Sequence, residues 1–552
     1  LAQRRSFALA LVFIAGCKPD ARCDGQCALS MFLELEQTFR PSNHEDAAQK
    51  WVQQKLAEAI ANEVWTADEA PSATDAAGNL LIRLPATAPG EQDRKPVVLQ
   101  AHLDMVLAVD GAAPGEPLEP YFTSGVDVVQ EDGIMHSRNY KTTLGADNGV
   151  GVAQLVRYIV DRSIPHPPLE LVFTTAEELG LFGAQRYDAA ALPLHGTVII
   201  NLDGMSVADW EHPDLHQPLA ITYGANGAML TNLDGKLRTA PLAASAQLLD
   251  LSLHGLLGGH SGIYINLKRM NSIRAAAALL QQLVTLGQSP QLVSLAVGQV
   301  QARSGHNKIP DSFAMTVALP ATADLAAVSQ SLKTFFAGFA ADYTDEDQSK
   351  IQLQLGPSTM PASVALPKDV TAALASVLST TPNGVIKANP DYPEGVEISS
   401  NLGVLGISGA ASEQSFYLGY LPRAYDLQTA GSVAEQIHTQ VSAVLTGDGA
   451  ESGLGKTPVP PWLVPQDAGP IQIAHRVAGD LLKQYIRMPS STEVGVFMTL
   501  FPALQNRGFG LGPVITDAHT PRESMNVSTF LDATQALDTI LTGFGEDPTL
   551  LK

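Results

Sequence analysis

The sequence predicts an α/β protein with a mostly parallel sheet flanked by helices, interrupted by a separate α+β domain. Three observations carry this. Short apolar runs recur at Val97-Val98-Leu99, Leu169-Glu170-Leu171-Val172-Phe173 and Val198-Ile199-Ile200, each ending in polar residues as buried strands do. Helical patterns separate them, notably from Val150 to Val160, and alternating strands and helices favour a parallel sheet. Between about Trp210 and Gly455 the pattern changes to mixed strand-like and helix-like pieces, such as Leu248 to Leu253 and the Ala-rich Ile273 to Leu286. At roughly 150 residues per domain, a chain of 552 residues accommodates such a division.

The elements follow in order. Arg4 and Arg5 precede an apolar run from Phe7 to Ala15, the layout of a signal peptide over residues 1–16. The string Ile14-Ala15-Gly16-Cys17 resembles a bacterial lipobox, which implies a lipid on Cys17. Lys18, where an inner-membrane lipoprotein would carry Asp, implies the periplasmic side of the outer membrane in a bacterial envelope. Residues 17–28 then form a tether, in which Cys23 and Cys27 would meet an oxidising space and be able to pair. From Leu29 to Val64 the apolar spacing is helical, broken at Pro41-Ser42, with Ser42 or Asn43 available to cap a second helix. Residues 29–209 make the first part of the α/β domain and 210–455 the inserted α+β domain. The Gly-, Pro- and Ser-rich stretch from Thr446 to Pro465 reads as a linker. The α/β pattern resumes over 456–552.

The net charge of −22 (34 Lys+Arg against 56 Asp+Glu) argues against nucleic-acid binding, which needs a basic face. No run of about 20 apolar residues is present to span a bilayer, so membrane contact is expected only through the lipid on Cys17.

Chemistry collects at the strand ends. Leu99-Gln100-Ala101 leads to His102 and Asp104, Phe173 to Ala176 leads to Glu177-Glu178, and Ile200 to Leu202 leads to Asp203. Ligands of open α/β sheets bind outside the carboxyl ends of the strands. His102 and Asp104 share a face if extended, and a carboxylate there can fix the tautomer of a metal-binding imidazole. Glu177 and Glu178 point to opposite faces if extended, so one is free to ligate while the other serves as general base. Each pattern also has a bland reading: a core histidine bonded to Asp104, a solvated strand end at Glu177-Glu178, a turn at Asp203. Asp147, in Gly145 to Gly149 at a helix start, reads equally as an N-cap. Carboxylates with imidazole suit zinc, manganese or cobalt, and no cysteine lies in these sets. The stretch Asp517-Ala518-His519-Thr520-Pro521 offers a further imidazole.

In combination these strings resemble the co-catalytic dinuclear zinc peptidases, most closely the aminoacylhistidine dipeptidase (Xaa-His dipeptidase, carnosinase-like) branch. The matching strings are Ala101 to Val106 (AHLDMV), Leu144 to Val150 (LGADNGV), Ala176 to Gly180 (AEELG), Asn201-Leu202-Asp203, Gly258 to Gly262 (GGHSG) and Ala518 to Pro521 (AHTP). Fainter matches are Asn307 to Pro310, Ser400 to Val404 and Glu493-Val494-Gly495. The resemblance implies a catalytic domain interrupted by a lid, and two divalent metal ions, zinc or else manganese or cobalt. Asp147 would bridge them, with His102 and Asp203 on one and Glu178 and His519 on the other. Asp104 would orient His102, Glu177 would be the general base, and His260 from the lid would stabilise the oxyanion.

The implied function is a metallopeptidase hydrolysing small peptides, Xaa-His dipeptides foremost, through a metal-activated water. An aminoacylase, deacetylase or tripeptidase on the same scaffold would share the metal shell, and a non-catalytic peptide-binding lipoprotein is the remoter alternative. Two departures stand out. Gly204-Met205 follow Asp203 where the family often has Ser or Thr and an acid, and Pro521-Arg522-Glu523 keeps one acid of a usual pair. A lipoprotein form also departs from a largely cytoplasmic family. The long lid suggests a site completed within one chain; a homodimer with His260 acting in trans is the other arrangement open to this sequence.

Overall fold

The protein is described from a computed structural model, which covers residues 22–113, 116–203, 219–298, 305–344, 346–389, 395–410, 413–445, 453–547 and 550–552. The signal peptide, Cys17 and the Gly204-Met205 departure lie outside the described residues.

A nine-stranded sheet forms the first layer. Its order is Ser72–Thr74, Leu80–Leu84, Leu169–Thr174, Val97–His102, Val198–Asn201, Gly508–Gly510, Leu219–Ala225 and Trp462–Leu463, with Leu482–Met488 also pairing on Leu219–Ala225. The three apolar runs are its centre, and they pair in parallel. Gly508–Gly510 continues the parallel run beside Val198–Asn201; the Ser72–Thr74 and Trp462–Leu463 edges are antiparallel, while Leu482–Met488 runs parallel to Leu219–Ala225. Every residue of Val97–His102 and Leu169–Thr174 is buried, which explains why these strands are continuous rather than alternating in hydrophobicity.

Helices cover this sheet. Ala146–Val160 is buried almost all round, and its polar Gln154 and Arg157 find partners in Thr534 and Asp538. Gly25–Leu35 packs on it, and Val527–Glu546 packs on Gly25–Leu35. Asp538 ties these elements by accepting from Arg157, from the Tyr158 hydroxyl at 2.8 Å and from Arg22 at 2.9 Å. Cys23 and Cys27 are joined by a disulfide at the start of Gly25–Leu35, whose N-cap is Asp24. The break at Pro41-Ser42 falls between two helices, Gly25–Leu35 and Asp46–Ala61. Neither Ser42 nor Asn43 caps the second, because Glu45 holds that position and the Ser42 hydroxyl is committed to Asp104.

A second core lies in the inserted segment. It contains a four-stranded antiparallel sheet (Gln291–Val297, Phe313–Leu319, Gln247–His254, Gln352–Pro357) and a seven-stranded one built on Gly227–Arg238. Helices Ser272–Thr285 and Lys368–Thr380 pack together within it.

The boundaries drawn at 210 and 455 move. Leu219–Ala225 is wholly buried in the first sheet, so the α+β unit begins only with Gly227–Arg238. Gly453–Val459, within the stretch that reads as a linker, is a strand paired along Gly227–Arg238. Its Gly and Pro content misled because an edge strand tolerates a proline that a central strand does not.

Two histidines with no site role sit in the cores. His166 and His306 are buried, and burial pushes both pKa values down to about 4. Below pH 6.5 the unfolded chain takes up protons that these folded imidazoles refuse until about pH 4. Their contribution to stability is therefore lost as pH falls through that window. Acidifying from pH 6.5 to 5 is expected to cost about 2 kcal/mol per histidine. Urea midpoints of the chelator-stripped protein check this: the acid-side fall should be shallower in His306→Gln than in wild type.

Candidate dinuclear metal centre

The strand ends, the start of Ala146–Val160 and the loop before Ser524–Asn526 converge on one buried cluster. His102 ends its strand with Nε2 3.1 Å from Asp147 Oδ1 and 3.7 Å from Asp203 Oδ1. His519 Nε2 lies 2.9 Å from Glu178 Oε1 and 3.3 Å from Asp147 Oδ2. The two oxygens of Asp147 thus face one imidazole each. Three overlapping sets have ligand atoms within 4.8 Å of one another: His102, Asp147 and Asp203; Asp147, Glu178 and His519; His102, Glu177 and Glu178. Asp147 is no N-cap, since Gly145 holds that position and Asp147 itself has non-helical backbone angles.

Glu177 and Glu178 are not extended as the strand-end reading supposed. They occupy a 3-10 turn entered through Ala176 at φ 48°. The turn still separates them: Glu178 meets His519, while Glu177 Oε2 stands 4.0 Å from His102 Nε2. Asp104 holds this arrangement. It takes the N–H of Glu177 at 3.0 Å and of Glu178 at 3.1 Å, accepts from the Ser42 hydroxyl at 2.7 Å, and sets Oδ1 3.4 Å from His102 Nδ1.

The electrostatics test whether cations fit. Burial, then the repulsion of Asp147, pushes the Asp203 carboxyl up to about 7. Burial and the neighbouring carboxylates push Glu177 well above the usual range, against the pull of His102. Four converging acids cannot all ionise in a low-dielectric site without positive charge beside them. The mixed carboxylate–imidazole donors suit divalent cations and lack the thiolates of a closed structural zinc site.

Supporting roles were not legible in the sequence. The Glu523 carboxylate accepts the N–H groups of Leu144, Gly145 and Asp147 at 3.1–3.2 Å, fixing the loop that presents Asp147. Arg40, paired with Glu36, donates to the carbonyls of Leu103, Asp104 and Gly145 and so ties the His102 strand end to the same loop. Both partners are wholly buried. Arg40→Met strands the Glu36 carboxylate and three carbonyls. It is expected to cost about 3–5 kcal/mol of stability in the chelator-stripped protein, read by denaturant unfolding. Glu493 is also buried beneath the site, accepting from Gln100 and from the Thr174 hydroxyl.

The inserted unit reaches the cluster from the same chain. His260 packs edge-on to His519, ring centroids 4.8 Å apart. Ile263 N–H donates to His260 Nδ1 at 3.2 Å, which leaves the ring proton on Nε2, 3.4 Å from the Ser490 hydroxyl. Burial, with His519 and Arg423 nearby, holds His260 well below the usual imidazole range, so it is neutral. Asn307 Nδ2 donates to Glu178 Oε2 at 2.9 Å. Arg423 is buried, donates to Ser261 Oγ at 2.8 Å, and has its pKa lowered to about 9 by burial against the attraction of Glu177. Every site residue expected from sequence is therefore in or beside one cluster.

Fold and cluster together define a hydrolase of the dinuclear metallopeptidase class, with a lid over the sheet edge. Residues 79–213, which include five of the clustered acids and imidazoles, match Peptidase family M28. The chain is 28% identical over 473 residues to the Cytosol non-specific dipeptidase of Escherichia coli (strain K12), covering 82% of this chain and 86% of that protein. Among solved structures it is similar to the aminoacylhistidine dipeptidase of Vibrio alginolyticus. That match has a TM-score of 0.56 and 22% identity, over 94% of this chain and 96% of that one. A tripeptidase of Staphylococcus aureus matches with a TM-score of 0.53 and 15% identity, over 95% and 99%.

Proposed function

We propose that the protein is a zinc-dependent dipeptidase acting on short peptides, Xaa-His dipeptides among them. The observation that carries this is the shared carboxylate Asp147, set between two imidazoles with a further acid beside each, and covered by lid residues of the same chain. The dipeptidase relatives support the substrate class.

His102, Asp147 and Asp203 would hold one cation, and Asp147, Glu178 and His519 the other. Bound there, divalent cations acidify water and polarise a carbonyl. The protein's own groups do the rest. Glu177 takes the proton of the attacking water and passes it to the leaving amine as the C–N bond breaks. The His260 Nε2–H donates to the carbonyl oxygen as negative charge develops there. Arg423 offers a buried cation to the carboxylate end of a small peptide. Folded proteins are excluded because the reacting side chains are at most 12% exposed beneath the lid.

The test is turnover of a panel including β-alanyl-histidine, other Xaa-His pairs and acylated amino acids, with zinc, manganese or chelator. Metal-dependent cleavage of dipeptides supports the reading; cleavage of acylated amino acids alone replaces it with an acylase. We also propose anchoring at the bacterial outer membrane through Cys17, supported by the lipobox-like string and by a disulfide, a bond of oxidising compartments. Metabolic palmitate labelling should be lost in Cys17→Ser.

A further inference from the structure

The two candidate metal-binding histidines are held in different ways. His102 has Asp104 on its second nitrogen. His519 has Nε2 against Glu178 and Asp147, but its Nδ1 is buried without a hydrogen-bond partner among the described residues. A metal-binding imidazole is ordinarily oriented by a bond on that second nitrogen. The orientation of His519 must come from its loop instead.

That loop is unusual. Asp517 and His519 have φ of 52° and 68°, a region sparsely populated by residues other than glycine. Such angles persist where the surroundings impose them. Part of the constraint is local: the Thr520 N–H and hydroxyl both donate to the Asp517 carbonyl, at 3.2 and 2.8 Å. The remainder comes from the lid. Arg269, nearly buried, donates through Nη2 to Asp517 Oδ1 at 3.1 Å and through Nη1 to the Gly258 carbonyl at 2.9 Å. Its guanidinium stacks 3.9 Å from the centroid of Tyr264. Tyr264 is itself buried and sets its hydroxyl against the backbone N–H groups of Asp517 and Ala518. One arginine therefore grips the loop carrying His260 and the loop carrying His519 together.

We propose that Arg269 and Tyr264 are positioning residues that orient His519 across the lid boundary, so that one of the two cation sites reaches full affinity only with the lid docked. This rests on the two-metal reading above. By linkage, filling that site favours the docked lid to the same degree. The Asp147, Asp203 and His102 set, anchored through Asp104 within the sheet, has no such dependence.

The experiment is calorimetric titration of zinc into the chelator-stripped full chain, for wild type, Arg269→Met, Arg269→Lys and Tyr264→Phe. Wild type should show two sites. Arg269→Met and Tyr264→Phe should each weaken one site by about 10–100-fold and leave the other unchanged, with Arg269→Lys between. Tyr264→Phe keeps the ring and its packing, so a folding defect in Arg269→Met does not remove the test. Two sites of wild-type affinity in both variants would overturn the inference. So would equal weakening of both sites with a lower unfolding temperature of the stripped protein, the mark of a merely structural role. A wild type that binds no zinc would overturn the two-metal reading itself.

Discussion

Glu177→Gln is expected to lower kcat on a cleaved dipeptide by about 10²–10⁴-fold while both metals remain bound. Gln keeps the size and the neighbours of the carboxylate but cannot accept a proton. Glu177 sits 4.0 Å from His102 Nε2, farther than the 3.1 Å and 2.9 Å contacts of Asp147 and Glu178 with the imidazoles, so its loss should spare metal binding. Its N–H is held by Asp104 through the backbone, a bond the substitution does not touch. Metal content by mass spectrometry beside turnover separates the cases. Loss of a metal together with activity would make Glu177 a ligand. Retained activity with both metals would pass the role of base to another group.

His260→Ala is expected to cost about 10²–10³-fold in kcat with a smaller effect on KM, because the bond to the carbonyl oxygen strengthens only as charge develops. His260→Gln, which restores an N–H donor, should recover part of the loss. The neutral, Nε2-protonated form inferred from the Ile263 bond predicts more: kcat should show no acid limb assignable to His260, since burial holds its pKa well below the ordinary value. An equal loss in KM and none in kcat would make His260 a binding group instead.

The part of the site legible in sequence is the part that strand geometry delivers. His102, Glu177, Glu178 and Asp203 follow short apolar runs, so the parallel centre of the sheet brings them to one edge. Asp147, His260 and His519 have no local pattern that distinguishes a ligand from a cap, a loop or a surface histidine; only their order among the matching strings identified them. The supporting roles of Arg40, Glu36, Glu523 and Arg423 were invisible for a physical reason. Their bonds join residues far apart in the chain, as when Arg40 meets Gly145 or Glu523 meets Asp147, and a buried ion pair looks in sequence like any solvated i,i+4 pair. The domain boundaries failed where a wholly buried strand, Leu219–Ala225, precedes the insertion, and where an edge strand carries Gly and Pro.

The paired entry and exit of the lid has a modular consequence. Ala225 and Gly224 stand opposite Trp462 and Leu463 in the first sheet, and the same two chain segments remain partners from Ala228–Val459 to Asp234–Gly453 in the second. The insertion leaves and rejoins the core through one antiparallel ribbon. Because its ends are already adjacent, the whole unit between them is a cassette: a tight turn grafted from Ala225 to Trp462 would close the core as an ordinary hairpin. The ribbon is also the covalent pivot, so twisting two strands moves every lid residue at once, and exchanging cassettes alters what the cleft admits without rebuilding the sheet that carries the acids.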